Sequence, residues 1–206
     1  MNVRTPLLLR WLYPEITYRI PTSEKKLYVT FDDGPIPEIT EQVLDLLKHY
    51  DTKATFFCVG ENVKRHPHLY DRILLEHHAV GNHTFHHVNG FKSNCNVYLD
   101  DTLKAASCIS SNLFRPPYGR LTPKQYHKLR KEYHIVMWDV LSYDFDAKVT
   151  RDQCLDNVMS RSRNGSIIVF HDSIKAAANM LYVLPLVLKH FKGEGYTFET
   201  ISINDK

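Results

Sequence analysis

Short segments with strand composition alternate with segments of helical periodicity along nearly the whole chain. Strand composition, rich in β-branched and aromatic residues, occurs at 27–31, 54–59, 79–82, 113–115, 135–138, 166–170 and 197–201. Alternation of this kind favours right-handed βαβ units and a parallel sheet covered by helices. The chain is therefore predicted to be an α/β protein with a parallel strand at each of these segments.

The segments between the strands carry apolar residues three and four positions apart, which indicates helices packed on the sheet. Thr40 is predicted to cap the first helix. Thr122, followed by Pro123, and Thr150, followed by Gln153 in a capping box, begin later helices. The remaining helical predictions are 69–76, 98–112, a course from Thr122 to 133, and a long last helix with Pro185 in or near its first turns, ended by Gly193 and Gly195.

Polar residues cluster immediately after the predicted strands. They are Asp32, Asp33, His83, His87, Arg115, Asp139, Asp144 and His171. A barrel brings the carboxyl ends of all its strands around one mouth, whereas an open sheet concentrates its site at one switch point. Because residues from many strands converge only in the first case, we predict a single distorted (β/α) barrel, with an open doubly wound sheet as the alternative.

The composition is that of one ordinary globular domain, with 206 residues of which 43% are hydrophobic and 24% charged. The formal net charge of +3, without a long basic run, argues against nucleic acid as a partner. No apolar stretch approaches the roughly 18 residues that a membrane helix requires. Four cysteines without a Cys-x-x-Cys pair predict reduced, structural thiols.

Two histidines, His83 and His87, lie four residues apart and would face the same way on a helical turn. Asp32 and Asp33 add two adjacent carboxylates at the end of the first strand. One carboxylate with two neutral imidazoles suits Zn²⁺ or a similar divalent ion, and the second carboxylate is then free to accept a proton from water. The alternatives are a chance histidine pair, His86 as the second ligand, and a solvated Asp-Gly-Pro turn.

Five motifs resemble those of the polysaccharide deacetylase domain, the NodB-like carbohydrate esterases, and they occur in the family's order. They are Thr30-Phe-Asp-Asp-Gly-Pro35, His83-Thr-Phe-His-His87, Arg115-Pro-Pro-Tyr-Gly119, Trp138-Asp-Val-Leu-Ser-Tyr-Asp-Phe145 and Ile168-Val-Phe-His171. They span most of the chain. The resemblance implies the NodB-like distorted barrel and removal of N-acetyl groups from sugars by metal-activated water.

The resemblance also assigns the residues at the metal. Asp32 matches the catalytic base and Asp33 the metal ligand, with His83 and His87 completing the ligand set. Arg115 matches the arginine that orients the base. The ion implied is Zn²⁺, with Co²⁺ or Ni²⁺ as alternatives, because carboxylate and imidazole ligands suit several divalent ions.

The resemblance assigns further residues to the leaving group, the oxyanion and the substrate. His171 matches the general acid, Asp144 the aspartate that orients it, and the backbone N–H of Tyr118 a donor to the oxyanion. The predicted substrate contacts are Pro117, Tyr118, Trp138 and Phe145. The fourth motif departs from the family form at Leu141, where an aspartate is usual, and at Phe145, where a tryptophan is usual, so glycan specificity is open.

Three functions follow from these residues. The first is a metal-dependent N-deacetylase of an N-acetylated sugar or glycan of the peptidoglycan or chitin type. The second is hydrolysis of a small-molecule amide or related C–N bond at the same site, and the third is an inactive metal- or carbohydrate-binding module. The third ranks last because Asp32, Arg115 and His171 are all retained.

Residues 1–25 carry no motif and are predicted to form an extension packed on the barrel, leaving 26–206 as the deacetylase domain. The apolar segment 6–13 is only weakly similar to a secretion signal, because Arg10 interrupts it and no cleavage site follows. We expect a monomer in the cytoplasm, with the cell envelope as the alternative. Asp139 is predicted to be a strand-end residue, Cys58 to be core packing, and Asn82 to fix its loop by hydrogen bonds.

Overall fold

A computed structural model describes Val3, Trp11 and residues 13–202. Most of the apolar segment 6–13, which was compared above with a secretion signal, lies outside the described residues, as do 1–2, 4–5 and 203–206. The division of the chain at residue 25 stays a prediction. Within the described residues, no helix is long and apolar enough to cross a membrane.

In the part of the chain that the structure describes, eight parallel strands form one curled sheet around β1. The strands are β1 Lys26–Asp32, β2 Thr55–Cys58, β3 Ala79–Asn82, β4 Leu113–Phe114, β5 His134–Ile135, β6 Val140–Leu141, β7 Ile167–His171 and β8 Thr197–Phe198. Seven of them follow the order β5-β4-β3-β2-β1-β7-β6, and β8 pairs with the start of β1. This curled arrangement confirms the predicted α/β distorted barrel over the open doubly wound sheet.

The fifth predicted strand is shorter than expected, and a strand that was not predicted follows it. β5 ends at Ile135, and the chain resumes strand structure only at Val140. Between them, Arg115 donates hydrogen bonds from Nε to the carbonyl of Val136 at 3.2 Å and from Nη2 to the carbonyl of Met137 at 3.0 Å. Because these carbonyls face a guanidinium, they are not available for a neighbouring strand.

The segment around Thr17 and Arg19 lies between the two ends of the strand order. Thr17 forms a parallel bridge to Val136, just after β5, and Arg19 forms an antiparallel bridge to Ser166, just before β7. The amide of Met137 also donates to the carbonyl of Thr17 at 2.8 Å. This segment therefore contributes backbone hydrogen bonds where the curled sheet would otherwise be open.

Seven α-helices of the described residues cover the sheet. They are α1 Ile39–His49, α2 Gly60–Arg65, α3 Pro67–Leu75, α4 Cys95–Ala106, α5 Pro123–Leu129, α6 Arg151–Met159 and α7 Ala177–Gly193. The core side chains are largely from β1, β2, β7, α1 and α7, and Phe31 stacks on Phe56 and Phe170 with ring centroids 5.1 Å and 6.2 Å apart. The predicted helices and strands occur in the predicted order, and α2 and β6 are additional elements that were not predicted.

Several helix boundaries differ from the predictions. Thr40 does not cap α1: the helix begins at Ile39, with Glu38 as its N-cap. The helices predicted to reach 112 and 133 end at Ala106 and Leu129. Pro185 lies inside α7 and not near its first turns. The predicted caps at Thr122 and Thr150 are confirmed, each with a capping box to Gln125 or Gln153.

Candidate active site

The strand register brings the site residues to one edge of the sheet. In the β1–β7 ladder Asp32 lies opposite His171, and in the β2–β3 ladder Cys58 lies opposite Asn82, which precedes His83. Arg115 follows β4, which pairs with Asn82 through Phe114. Because all these strands are parallel, their carboxyl ends and the residues that follow them meet in one cleft.

Asp33, His83 and His87 form the one group of possible metal ligands found among the described residues. Their ligand atoms all lie within 4.8 Å of one another. His87 Nε2 is 3.1 Å and His83 Nε2 is 4.0 Å from Asp33 Oδ1. This geometry fits one small cation between the three side chains.

The segment from His83 to His87 is a loop. The sequence instead predicted a helical turn, on which the two histidines would face the same way. Thr84 and His87 have positive φ angles of 61° and 55°, and Asp33 has a φ of 87°. Left-handed backbone is uncommon outside glycine and is retained where surrounding contacts determine it. The pair therefore converges through loop conformation and not through the facing of side chains on a helix.

The chemistry of His83 supports a metal ligand. Its Nδ1 lies 2.7 Å from the backbone carbonyl of Arg115, which requires Nδ1 to carry the proton and leaves the Nε2 lone pair directed at Asp33. Burial lowers the pKa of His83 to about 4. The imidazole is therefore neutral near pH 7, which is the form that binds a metal.

Asp33 has the charge that a cation site needs. Burial acts to raise the pKa of its carboxyl, but the hydrogen bond from His87 and the charge of His171 hold the pKa well below its usual range. Asp33 is therefore ionised at neutral pH. One carboxylate and two imidazoles are a donor set that zinc and similar divalent ions accept.

Asp32 forms a buried ion pair with Arg115. Arg115 Nη1 lies 2.6 Å from Asp32 Oδ1 and 2.7 Å from the hydroxyl of Thr30, and the guanidinium is stacked 4.0 Å from the Phe57 ring centroid. Burial lowers the pKa of Arg115, and Asp32 opposes this change. The guanidinium also donates to the carbonyls of Val136 and Met137, and these contacts together fix its position. It therefore holds the Asp32 carboxylate in one orientation.

His171 and Asp144 form a second buried pair across the cleft. His171 Nδ1 is 2.8 Å from Asp144 Oδ1, and the His171 amide donates to Asp144 Oδ2 at 2.7 Å. Burial opposes the charge of the imidazole, but the Asp144 carboxylate outweighs it and raises the pKa of His171 to about 9. The histidine is therefore protonated at neutral pH and able to donate from Nε2.

The cavity between these pairs contains most of the predicted substrate contacts. Tyr118, Trp138 and Phe145 line it together with Leu141. The Phe145 ring meets His171 edge-on, with centroids 4.8 Å apart, and the Tyr118 ring lies 4.6 Å from that of His87. Pro117 is buried and is absent from the cavity lining; its carbonyl accepts the amide of Arg120.

Two buried aspartates were missed by sequence reasoning. Asp172 Oδ1 accepts the Gly34 amide at 3.0 Å and its Oδ2 accepts the Thr40 hydroxyl at 2.6 Å, which is why Thr40 is not a cap. Asp101 Oδ2 accepts the amides of Phe85 and His86, both at 2.9 Å. Each carboxylate therefore holds a loop that carries a candidate metal ligand.

The sequence contains a signal for only one of these two residues. Asp172 directly follows His171 at a strand end, where the other site residues were found. Burial raises the pKa of Asp172 to about 8, and the Thr40 hydrogen bond opposes this. Asp101 lies within a helix and has no local pattern to distinguish it from an exposed aspartate.

The secondary candidates occupy structural positions. Asn82 Oδ1 accepts the Thr84 amide at 2.8 Å, as predicted for a loop-fixing residue. Asp139 is fully buried and accepts the Ser166 hydroxyl at 2.8 Å, outside the cavity lining. Cys58 is buried, and burial raises its pKa, in agreement with core packing. All four cysteines are unpaired thiols.

Comparison with known proteins gives one consistent family. Residues 19–138 match the family model described as polysaccharide deacetylase. A peptidoglycan-N-acetylglucosamine deacetylase of Bacillus cereus is 34% identical over 195 residues, which is 91% of each chain. A chitooligosaccharide deacetylase of Azorhizobium caulinodans is 30% identical and covers 75% of this chain and 77% of its own.

A solved structure agrees with the sequence relatives. The crystal structure of a peptidoglycan N-acetylglucosamine deacetylase in complex with 4-naphthalen-1-yl-N-oxidanyl-benzamide has a TM-score of 0.88 and 30% identity, covering 96% of this chain and 95% of that one. The family model matches more than half of the chain, and relatives at 30% identity or above extend over most of it. The chain therefore belongs to the polysaccharide deacetylase family.

Proposed function

We propose that the protein is a metal-dependent N-deacetylase that removes acetyl groups from N-acetylglucosamine in a peptidoglycan-type glycan. One observation carries the proposal: Asp33, His83 and His87 line a single cavity together with Asp32 and His171. Behind the lining, Arg115 pairs with Asp32 and Asp144 pairs with His171. The named relatives that act on peptidoglycan support this substrate.

Asp33, His83 and His87 would hold the ion. A divalent ion bound there would lower the pKa of water toward about 7 and polarise the acetamide carbonyl. The Arg115 carbonyl accepts the Nδ1 proton of His83 and so fixes the tautomer in which Nε2 is the ligand atom. We propose Zn²⁺ as the ion, with Co²⁺ and Ni²⁺ as alternatives that the same ligands accept.

Asp32 would act as the base. Its Oδ1 is engaged by Arg115, so its other oxygen is the acceptor for the proton of the attacking water. The Thr30 hydroxyl and the two carbonyls that hold Arg115 keep this carboxylate from rotating. The backbone N–H of Tyr118 would donate to the oxyanion that forms on the former carbonyl oxygen.

His171 would act as the acid. An amine is a poor leaving group unless it is protonated, and the imidazolium of His171 carries the proton that the departing nitrogen needs. Asp144 accepts the Nδ1 proton and stabilises the imidazolium, so the transferable proton is the one on Nε2, on the side of the ring away from Asp144. The products are acetate and a glucosamine amine.

Acetate release tests the proposal. The full chain is stripped of metal, restored with Zn²⁺, Co²⁺ or Ni²⁺, and assayed on peptidoglycan fragments, N-acetylglucosamine oligomers and a panel of small amides. We expect release from the glycans only with metal, and a loss of about 10²-fold or more in kcat for Asp32→Asn and for His171→Ala. Activity on small amides alone would select the second function, and ligand binding without turnover in any form the third.

The cellular location follows from the substrate. A cell-wall glycan favours the cell envelope, which was the alternative to the cytoplasm in the sequence predictions. Fractionation of cells with an antibody against the full chain would distinguish the two locations. Recovery with the soluble cytoplasmic markers would argue against peptidoglycan as the substrate.

A further inference from the structure

A groove continues from the active-site cavity along the surface. It shares Tyr118, Trp138, Leu141 and Phe145 with the cavity. Beyond them it is lined by Asn89, Phe91, Lys92, Arg120 and Tyr143. We call these nine residues the mouth groove. A sugar joined to the one that reacts would lie in this groove, because the two spaces are continuous.

The far end of the mouth groove is held in a fixed shape. A Cβ atom on Gly90 would lie 2.3 Å from the carbonyl oxygen of Arg120. The backbone at Gly90 and the backbone at Arg120 therefore approach so closely that only glycine fits at position 90. The fully buried Gln125 donates from its amide to the Gly90 carbonyl at 3.0 Å. The Arg120 guanidinium rests 5.2 Å from the centroid of the Phe91 ring, which is 58% exposed.

The charges along the mouth groove and cavity are unevenly distributed. Lys92, Arg120 and Lys175 are exposed cations at the rim. The acidic side chains in the two linings are Asp32 and Asp33, which are engaged by Arg115 and by the candidate metal ligands. Within residues 13–202, Arg120 and Lys92 take part in none of the ion pairs found. The rim therefore has cationic charge that no ion pair among the described residues neutralises.

We propose that Arg120 and Phe91 bind a carboxylate-bearing sugar next to the sugar that loses its acetyl group. The inference rests on the proposed function and adds to it two specificity-determining residues, which contact the sugar next to the one that reacts. The planar guanidinium pairs with a carboxylate through two parallel hydrogen bonds, and the exposed ring offers an apolar face to the sugar. A neutral chitin-type chain would use only the ring.

Two matched tetrasaccharides test this. One alternates N-acetylglucosamine with a 3-O-lactyl N-acetylhexosamine that has free carboxylates, and in the other each carboxylate is converted to the amide. Binding to the full metal-stripped chain is measured by calorimetry at low and high salt, and kcat/KM for acetate release is measured with Zn²⁺ restored. We expect the wild type to bind the free acid about tenfold more tightly than the amide, with the preference reduced at high salt.

The variants are Arg120→Gln and, as a matched control, Lys124→Gln, an exposed cation outside the mouth groove. Arg120→Gln should abolish most of the acid-to-amide preference, through the dissociation constant and KM more than through kcat. Lys124→Gln should retain it. Equal binding of acid and amide by the wild type, or an equal loss for both in Arg120→Gln, would overturn the inference.

The two proposals fail in different ways. If the acid preference is present in binding and lost in Arg120→Gln while no acetate is released from any glycan, the deacetylase proposal fails and the carboxylate site stands. If acetate is released equally from acid and amide, with equal binding, the deacetylase proposal stands and Arg120 has no role in selecting the substrate.

Discussion

Asp32 and Asp33 are adjacent in the chain, yet their carboxylates have different partners. Asp32 is the last residue of β1 and contacts Arg115, whereas Asp33 contacts His87 from a left-handed backbone conformation. Successive side chains of a strand point to opposite sides, and the positive φ of Asp33 adds a further turn of the chain. The two carboxylates can therefore be adjacent in the chain, because Asp32 faces the Arg115 guanidinium and Asp33 faces the His87 imidazole.

We expect the pH dependence of the proposed activity to depend on Asp144. Because Asp144 raises the pKa of His171 to about 9, the proposed acid stays protonated until the pH rises through that value. Asp144→Asn should move the alkaline limb of the kcat/KM profile to lower pH by about one unit or more, since one unit reflects 1.36 kcal/mol of lost interaction. Asp146→Asn, which alters a carboxylate not bonded to His171, should leave the limb in place. An unchanged limb in Asp144→Asn would exclude His171 as the group that sets it.

The same pair has a consequence for stability. The folded-state pKa of His171 lies above its unfolded value of 6.5, so the stabilisation is complete below 6.5 and is lost as the pH rises through about 9. The free energy of unfolding of the wild type should therefore fall between pH 7 and 9.5, by more than that of Asp144→Asn. Urea denaturation at the two pH values measures the difference. Parallel curves for the two proteins would contradict the shift.

At the scale of elements, each loop that carries a candidate metal ligand is held by an aspartate side chain from a neighbouring element. Asp101 of α4 binds the amides of Phe85 and His86 between His83 and His87. Asp172, directly after β7, binds the turn that follows β1. Loops have no ladder to fix them, so these buried acceptors supply the hydrogen bonds that a strand or helix would otherwise provide.

Removing the Asp101 carboxylate should weaken metal binding. Asp101→Ala removes the side-chain acceptor that the amides of Phe85 and His86 share, and only the Phe85 amide keeps a second acceptor, the Asp101 carbonyl. Changes of this kind in the residues that support metal ligands cost about 10- to 100-fold in metal affinity. Asp101→Asn, which keeps one oxygen acceptor, should lose less. Asp100→Ala, an exposed neighbour on α4, is the control. Titration with Zn²⁺ measures all three, and equal affinities would mean that the loop holds its shape without Asp101.

The turn after β1 should not tolerate a side chain at Gly34. A Cβ atom there would lie 1.9 Å from Asp172 Oδ2, so Gly34→Ala must displace the carboxylate or the turn. We expect a loss of about 1–3 kcal/mol in the free energy of unfolding, together with weaker Zn²⁺ binding. Gly193→Ala, whose Cβ would meet nothing within 4 Å, should be neutral. Full stability of Gly34→Ala in urea would show that the turn can adjust.

The sequence predicts elements with strong local signals and misses those that depend on distant contacts. β1 and β7 were predicted nearly to the residue because their apolar runs are long and buried. The break between β5 and β6 could not be predicted, because it depends on Arg115, more than twenty residues earlier, taking the carbonyls of Val136 and Met137. Thr40 was misjudged for the same reason: its partner, Asp172, is 132 residues away.

At the scale of the whole molecule, metal binding should be coupled to folding. The ligands come from the ends of different strands, so the unfolded chain has no such site. At about 100 times the dissociation constant, a ligand that binds only the folded state adds about 2.7 kcal/mol. The thermal midpoint of the wild type should therefore rise with Zn²⁺ and fall with a chelator. Asp33→Ala should lose this response, and a persistent response would place the ion elsewhere.

The bridge between Thr17 and Val136 ties the beginning of the chain to the proposed base. Thr17 holds the backbone of Met137 from one side, and Arg115 holds the same residue's carbonyl from the other before reaching Asp32. A truncated form starting after residue 20 would keep all five motifs. The backbone of Met137, whose carbonyl accepts a hydrogen bond from Arg115, would however lose its contact with Thr17. We therefore expect versions trimmed to the motif-bearing region to hold Arg115 and Asp32 less firmly than the longer chain does.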